Sequence, residues 1–330
     1  MTVRIAINGL GRIGRLALRA ALGREDVTLA AVNDRNDLTA LVPLIRRDSV
    51  HGPFPGEVQC AAGQLILNGE RVPMLRGRPF PDWREYGVDV VLECSGGGPD
   101  GHKAREHIRL GAERVIISAP APHVDTTLVL GANAGTFEAS RHHIISMASC
   151  TSNSLAPVLT ALLPFGLARV HLDSVNAYTN SQRIVDAPHG DPRMARAAGL
   201  NIIPSDSSTG DSIYEVMPQL RGKFTACAFR VPVPCGSLCS IVAEVERPPA
   251  LDELRRLFRE NQNNIIAYSE EPLVSSDIVG DTHSAIIDGL RLIVNGQWLH
   301  VLAWYDNEVG YAHRLVDLAI YIAGAKSTTP

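Results

Sequence analysis

Residues 3–34 constrain this chain more than any other stretch. Val3–Asn8 is an apolar run too short for a helix, and it reads as a buried strand. Gly9-Leu10-Gly11-Arg12-Ile13-Gly14 follows, and LALRAAL continues at helical spacing. Val27–Asn33 is a second strand-like run ending at Asp34, twenty positions after Gly14. Strand, glycine turn, helix and strand within about 30 residues form a β-α-β unit. Each glycine has its own task. The first permits the tight turn, the second lets the backbone approach a pyrophosphate, and the third lets the helix pack on the sheet. The helix start offers free N–H groups and a partial positive charge to phosphates. Asp34 suits ribose hydroxyls and repels a 2′-phosphate, which favours NAD, while the adjacent Arg35 keeps NADP open.

The same alternation continues. Val88–Glu93 and Arg114–Ser118 are strand-like, with a helical stretch around His102–Leu110 between them, as in a parallel sheet covered on both faces. After residue 150 the pattern changes. A helix over Thr151–Leu163 precedes longer alternating segments, Ala168–Ala177, Phe224–Pro232, Ser237–Val245 and Leu290–Tyr305, which read as antiparallel. A last helix covers about Gly310–Ala323, and Lys326–Pro330 reads as a frayed tail. The expected fold is an α/β Rossmann-type N-terminal domain plus an α+β catalytic domain with a mainly antiparallel sheet. A length of 330 residues agrees with two domains.

Bulk properties narrow the function classes. The net charge of −4 gives no electrostatic case for nucleic acid, and no apolar run reaches the roughly 18–20 residues that span a bilayer. MTVRIAINGLGRIGR enters a strand at once, without the order of a secretory leader, so a cytoplasmic protein is expected. The six cysteines (Cys60, Cys94, Cys150, Cys227, Cys235 and Cys239) are irregularly spaced and are expected to be free thiols. Cys235 and Cys239 lack a second ligand pair at metal spacing, and no metal is expected.

Cys150 stands between the apolar run HHII and an apolar-periodic helix, in SMASCTSNS. A thiol at a helix start is expected to have a lowered pKa and to be a strong nucleophile towards a carbonyl carbon. A buried structural cysteine is the other reading of that segment.

SCTSNSLAP resembles the active-site segment of the glyceraldehyde-3-phosphate dehydrogenase family. INGLGRIGR, RDSVHGPF, ECSGG, RVIISAP, NIIP, FRVPVP, VSSDIVGD and WYDNEVGY follow in that family's order, so the likeness covers almost the whole chain. The resemblance implies an NAD-binding Rossmann domain (1–149), a catalytic domain (150–310) and a C-terminal helix (311–330) returning to the first. It implies a cofactor site of Asn8, Gly9, Gly11, Arg12, Ile13, Gly14, Asp34 and Ser118, with Asn307 on the nicotinamide amide. It implies anion pockets from Ser149, Thr151, Thr179, Ser181, Thr209, Gly210 and Arg230. It also implies a homotetramer in which Arg183–Gly199 crosses a subunit interface. In the implied mechanism a Cys150 thiolate adds to an aldehyde, hydride passes to NAD, and phosphate releases the thioester as an acyl phosphate.

The chain departs from the family at the acid–base position. The family's histidine is replaced by Asn176 in SVNAYT. Asparagine exchanges no proton near neutral pH, although its amide can donate towards an oxyanion. His171, His189 and His313 do not stand at the motif position and read as surface or structural. The loop IIPSDSSTG is about two residues longer than the family pattern and adds Asp206, and Met194 stands where many bacterial members carry arginine. Met147 takes the place of a usual asparagine, and Ser154 that of a second cysteine. The leading expectation is an NAD-dependent oxidoreductase acting on an aldehyde through Cys150, with Asn176 in its catalytic set. The alternatives are a reductase of a ketone, imine or other electrophile without acylation, and a weakly catalytic NAD-binding paralogue with a regulatory or inhibitor-tolerance role.

Overall fold

The structure, a computed structural model, describes residues 2–77, 79–207 and 209–325. The tail expected to fray, 326–330, lies outside them. The chain forms two compact units. One comprises Met1–Leu128, Ala134–Ala148 and Ala312–Pro330, and the other Val129–Asn133 and Ser149–Tyr311.

The first unit opens with β1 (Val3–Asn8), α1 (Arg12–Leu22), β2 (Val27–Asp34) and α2 (Leu38–Arg46), as the glycine fingerprint requires. A small ribbon, β3 (Arg47–Asp48) with β4 (Gly52–Pro53), is followed by β5 (Val58–Ala61), β6 (Gln64–Leu67) and β7 (Glu70–Arg76). Then come β8 (Val90–Glu93), α3 (Gly101–Arg109), β9 (Arg114–Ile117), β10 (Thr126–Thr127) and β11 (Ile144–Ser146). The sheet order is β10-β11-β9-β8-β1-β2-β7-β6-β5. Strand order reverses between β1 and β8, which pair in parallel, and their carboxyl ends form the crevice where such sheets bind ligands. The core is built on small residues, Ala6, Ala31 and Ala104, which let helices approach the sheet under the fully buried Trp83.

The β5–β7 meander was not among the expected strands, although its turns were visible. Asn68-Gly69 joins β6 to β7 with both φ positive, the conformation that Asn-Gly favours in two-residue hairpins. Ala62-Gly63 does the same between β5 and β6, with Ala62 at φ 51°.

The second unit contains α4 (Cys150–Leu162), β12 (Leu167–Ala177), β13 (Ile203–Ser205), α5 (Thr209–Val216), β14 (Phe224–Val231), β15 (Ser237–Val245), α6 (Leu251–Glu260), β16 (Ile266–Ser269), β17 (Ala285–Asp288), β18 (Ile293–Asn295) and β19 (Trp298–Tyr305). Helix α7 (Val309–Gly324) follows. The sheet runs β13-β14-β12-β15-β19-β17-β16, with β18 on β19. It is mainly antiparallel, but β14 runs parallel to β12, which corrects the antiparallel reading of Phe224–Pro232. Alternation specifies which face is buried and carries no information on strand direction, and the helix-containing connection between β12 and β14 allows the parallel return. The segment read as one strand over Leu290–Tyr305 is a hairpin, broken at Gly296. Burial alternates strictly along β15. One sheet face packs under α4, which touches β15, β17 and β19, and the opposite face carries the half-buried and exposed residues.

Candidate active site

The glycine turn lies on the first unit. Gly9 has φ +97°, and a Cβ there would strike the Ser95 backbone at 2.5 Å. A Cβ on Gly14 would sit 1.9 Å from the Gly9 carbonyl oxygen, so only glycine allows α1 to press on the turn. Gly11, the N-cap of α1, is different. Among the described residues, a Cβ there would meet no atom within 4 Å, and no side chain caps the helix. The sequence assigns the same three tasks to these glycines, and the residues fit an NAD pyrophosphate. Asp34 has a second job that the sequence did not reveal. Its carboxylate accepts from the Leu10 N–H at 2.7 Å and from the Asn36 N–H at 2.8 Å, so it braces the glycine turn itself. Arg12 is held by an ion pair with Asp48, Ile13 is half-buried beside it, and the Ser118 hydroxyl donates to the Glu93 carbonyl at 2.9 Å.

Beneath this turn is a buried polar network that sequence reasoning missed. Trp83 Nε1 donates to His107 Nδ1 at 2.9 Å, which leaves His107 Nε2 to donate to Glu93 at 3.0 Å. Asn8 also donates to Glu93, and Asn33 donates to Asn8. Burial pushes the Glu93 carboxyl up, but His107, Ser95 and Asn8 outweigh it, and the net shift is downward. Glu93 thus stays ionised and fixes Asn8 at the end of β1. The ECSGG motif contained Glu93, but its partners come from distant segments.

Cys150 lies on the second unit. Ser149 caps α4, accepting from the Ser152 N–H at 3.0 Å, and Cys150 is the first residue of the helix. Burial raises the Cys150 thiol pKa, and this outweighs the lowering by the Arg230 guanidinium, the Thr151 hydroxyl and the helix-start backbone. The expectation of a lowered pKa is therefore corrected: the dipole is present, but desolvation is larger. No histidine bonds the thiol among the described residues. His171 lies on the outer sheet face bonded to Thr225, and His189 is exposed and bonded to Asp191.

Asn176 sits on β12 in register with Arg230 of β14. Its orientation follows from its partners. Nδ2 donates to the Ser174 carbonyl, an obligate acceptor, at 3.0 Å and faces the Ser174 hydroxyl at 3.0 Å. Oδ1 therefore points the other way and accepts from the Tyr305 hydroxyl at 3.0 Å. The Thr151 hydroxyl lies 3.0 Å from the Tyr305 oxygen and 3.4 Å from Asn176 Oδ1, so the Thr151 and Tyr305 hydroxyls form a chain that converges on Asn176. It ends on an amide oxygen, which takes no proton at neutral pH. In this arrangement the Asn176 amide nitrogen is turned to Ser174 and its oxygen to the Tyr305 hydroxyl. Burial holds the Tyr305 phenol well above its usual range, so it stays a donor. Cys239 lies against the Tyr305 and Ser154 hydroxyls, its thiol pushed up to about 12 by burial.

The expected anion residues fall into two groups. Thr179 and Ser181 are exposed and bonded to each other at 2.9 Å. Ser149 links through Ser152 and Ser212 to the Thr209 carbonyl, with Gly210 next along α5. Thr151 belongs to the Tyr305 network instead. Arg230 donates from Nη1 to the Ala177 carbonyl at 3.2 Å, and its buried Nε has no hydrogen-bond partner among the described residues. Asp206 is exposed. Asn307 accepts from Ser237 at 3.2 Å; because Ser237 already accepts from the Ala177 N–H, its own proton is left for Asn307 Oδ1. The Asn307 amide hydrogens then face away from Ser237.

A Rossmann sheet with this glycine turn, and an α+β unit presenting a cysteine at a helix start, define an NAD-dependent oxidoreductase. Residues 3–100 match the family description "Glyceraldehyde 3-phosphate dehydrogenase, NAD binding domain", and residues 149–307 match its C-terminal domain. The chain is 43% identical to glyceraldehyde-3-phosphate dehydrogenase of Geobacillus stearothermophilus, over 98% of this chain and 99% of that one. It is 42% identical to glyceraldehyde-3-phosphate dehydrogenase 1 of Bacillus subtilis and 41% identical to the Streptomyces coelicolor enzyme, at the same coverage. The chain belongs to the glyceraldehyde-3-phosphate dehydrogenase family. It is an oxidoreductase that uses NAD and acts on an aldehyde. The direct-reductase and weak-paralogue alternatives are not favoured by these relatives.

Proposed function

We propose that Cys150 adds to an aldehyde and that hydride transfer then occurs without a resident histidine base. The Cys150 thiolate attacks the carbonyl carbon and a hemithioacetal forms. NAD, held by the glycine turn of Gly9, Gly11 and Gly14, would supply the hydride acceptor. The hemithioacetal proton leaves to solvent and a Cys150 thioester forms, which phosphate or water then attacks, releasing the acyl phosphate or the acid and freeing the Cys150 thiolate. Arg230 supplies the cation facing the thiolate. Ser149, Thr209 and Gly210 form one polar subsite, and Thr179 with Ser181 the other. Asn307 donates its amide hydrogens to the nicotinamide carboxamide. The observation that carries this reading is Asn176 bonded to Ser174 and Tyr305 in the histidine's place. Phosphorylated aldehydes are the default substrates, and the added Asp206 and the Met194 replacement support a weaker demand for a dianion.

The test is to mix the protein with NAD and an aldehyde panel, with and without phosphate, and follow reduced nicotinamide. Turnover is expected, and Cys150→Ser is expected to abolish it. Undiminished activity in Cys150→Ser would overturn the covalent route.

The protein works in this reading as a cytoplasmic homotetramer. Six free thiols support a reducing compartment, and no described helix is long and apolar enough to cross a membrane. Ile184, Val185, Leu200 and Ile202, 70–88% exposed, cluster in or beside the segment that resembles the family's subunit contact. Light scattering is expected to give about four times the 35.6 kDa chain mass, and a monomer would sink the assembly.

A further inference from the structure

The Glu93 carboxylate joins the two loops that leave the sheet of the first unit where its strand order reverses. One follows β1, through Asn8 and Gly9, and the other follows β8, through Cys94 and Ser95. The loops touch, since a Cβ on Gly9 would lie 2.5 Å from the Ser95 Cα. Glu93 Oε2 accepts from Asn8 on the first loop, and Oε1 accepts from the Ser95 N–H on the second at 2.8 Å. The Asn8 amide is oriented by its other partners: Nδ2 also donates to the Pro79 carbonyl at 3.2 Å, and Oδ1 accepts from Asn33 at 2.5 Å. His107 Nε2, from α3, is the third donor, 3.0 Å from Oε2. A carboxyl proton would meet a hydrogen at every one of these bonds, so only the carboxylate fits.

His107 and Trp83 are both fully buried. The indole N–H can only donate, and it donates to His107 Nδ1 at 2.9 Å. That places the ring proton on Nε2, facing Glu93, whereas the other tautomer would set donor against donor at the indole. The Phe80 ring stands edge-on to the imidazole, 4.9 Å between centroids, and holds its plane.

We propose that His107 and Trp83 are positioning residues for NAD, acting through Glu93. The indole selects the tautomer, the imidazole holds the carboxylate, and the carboxylate ties the Asn8–Gly9 turn to the Ser95 loop at the spacing the dinucleotide requires. The proposal rests on the glycine turn being the NAD site. Burial pushes the Glu93 carboxyl up, and His107 is the largest of the groups that bring it down. The other titratable neighbour is the Cys94 thiol, which burial pushes up to about 12 and keeps neutral. Asp34, at the end of β2, turns its carboxylate to Leu10 and Asn36. Without the His107 donor, Glu93 therefore protonates at a higher pH, a bond to one loop breaks, and NAD affinity falls as pH falls.

The test is calorimetric NAD titration of the full-length parent and its variants between about pH 8 and about pH 5.5. His107→Leu keeps the bulk and loses the donor. NAD should bind about 10-fold more weakly at neutral pH, the low end for a hydrogen bond to a charged group, and the ratio to the parent should widen in acid. His107→Gln offers Glu93 an amide N–H and should stay within about 3-fold, at a ratio independent of pH. Trp83→Phe keeps a ring and frees the tautomer, and should cost about 2–5-fold. A His107→Leu protein with parent affinity would overturn the proposal. So would Leu and Gln variants weakened equally at every pH, which is the result of a merely structural role. Gly11→Ala is the control for the site. Parent-like affinity there would overturn the glycine turn as the NAD site and the proposal with it. Weakened binding there beside an unaffected His107→Leu would overturn the proposal alone.

Discussion

Asn176 is the residue that sets this chain apart chemically. It fills the histidine position with a side chain whose amide is bonded at both ends, so the hydroxyl chain of Thr151 and Tyr305 has no base at its terminus. General acid–base help is worth roughly 10²–10⁴-fold. Asn176→His is expected to recover about 10–100-fold of it in turnover and to add a titration near the usual histidine pKa of about 6.5. Steady-state kinetics against pH check this; unchanged turnover with no new inflection would mean that the proton leaves by a route independent of residue 176. The raised Cys150 pKa makes a second claim. Alkylation of Cys150 is expected to keep accelerating above the ordinary thiol range of about 8.5. Arg230 stabilises the thiolate, so Arg230→Gln should slow alkylation at a fixed pH below the thiol pKa. A faster reaction in that variant would show that the guanidinium does not face the sulfur.

At the element scale, the turn from β1 to α1 separates glycines that a Cβ would force into backbone, Gly9 and Gly14, from Gly11, where a Cβ meets open space. Gly14→Ala drives a methyl into the Gly9 carbonyl and is expected to cost about 1–3 kcal/mol of stability. Gly11→Ala meets open space at φ −68°, an ordinary value for alanine, and should leave stability nearly unchanged. It should nevertheless weaken NAD binding, because its methyl occupies the line of approach of the pyrophosphate. Denaturant unfolding and NAD titration of the two variants test the division. Equal NAD affinity in Gly11→Ala and the parent would place the pyrophosphate elsewhere.

For the molecule as a whole, acid stability depends on an ion pair. Burial pushes the Asp48 carboxyl up, but the His51 and Val50 N–H groups and Arg12 outweigh it and hold the pKa at about 2. A depressed carboxylate pKa stabilises the folded state above the unfolded value near 3.8, and that stability is lost as pH falls through about 2. The contribution at pH 7 is about 1–2 kcal/mol after solvent screening. Asp48→Asn should lower neutral-pH stability by that amount and flatten the loss between pH 4 and 2. Unfolding midpoints of the two proteins across that range are the measurement, and parallel curves would remove Asp48 from the account.

The sequence alone determined the β-α-β start, the glycine turn within it, a cysteine at a helix start and an asparagine at residue 176. These features are local: a turn that only glycine fits, a periodicity, or a residue type at a motif position. Tertiary structure decided what depends on segments distant in the chain. The pKa of Cys150 rises because burial is a property of the surrounding fold, and no window around residue 150 reports it. Asn176 takes its orientation from Ser174 and from Tyr305, 129 residues away. Glu93 stays ionised through His107 and Asn8. β14 runs parallel to β12, and alternation along each strand is blind to direction.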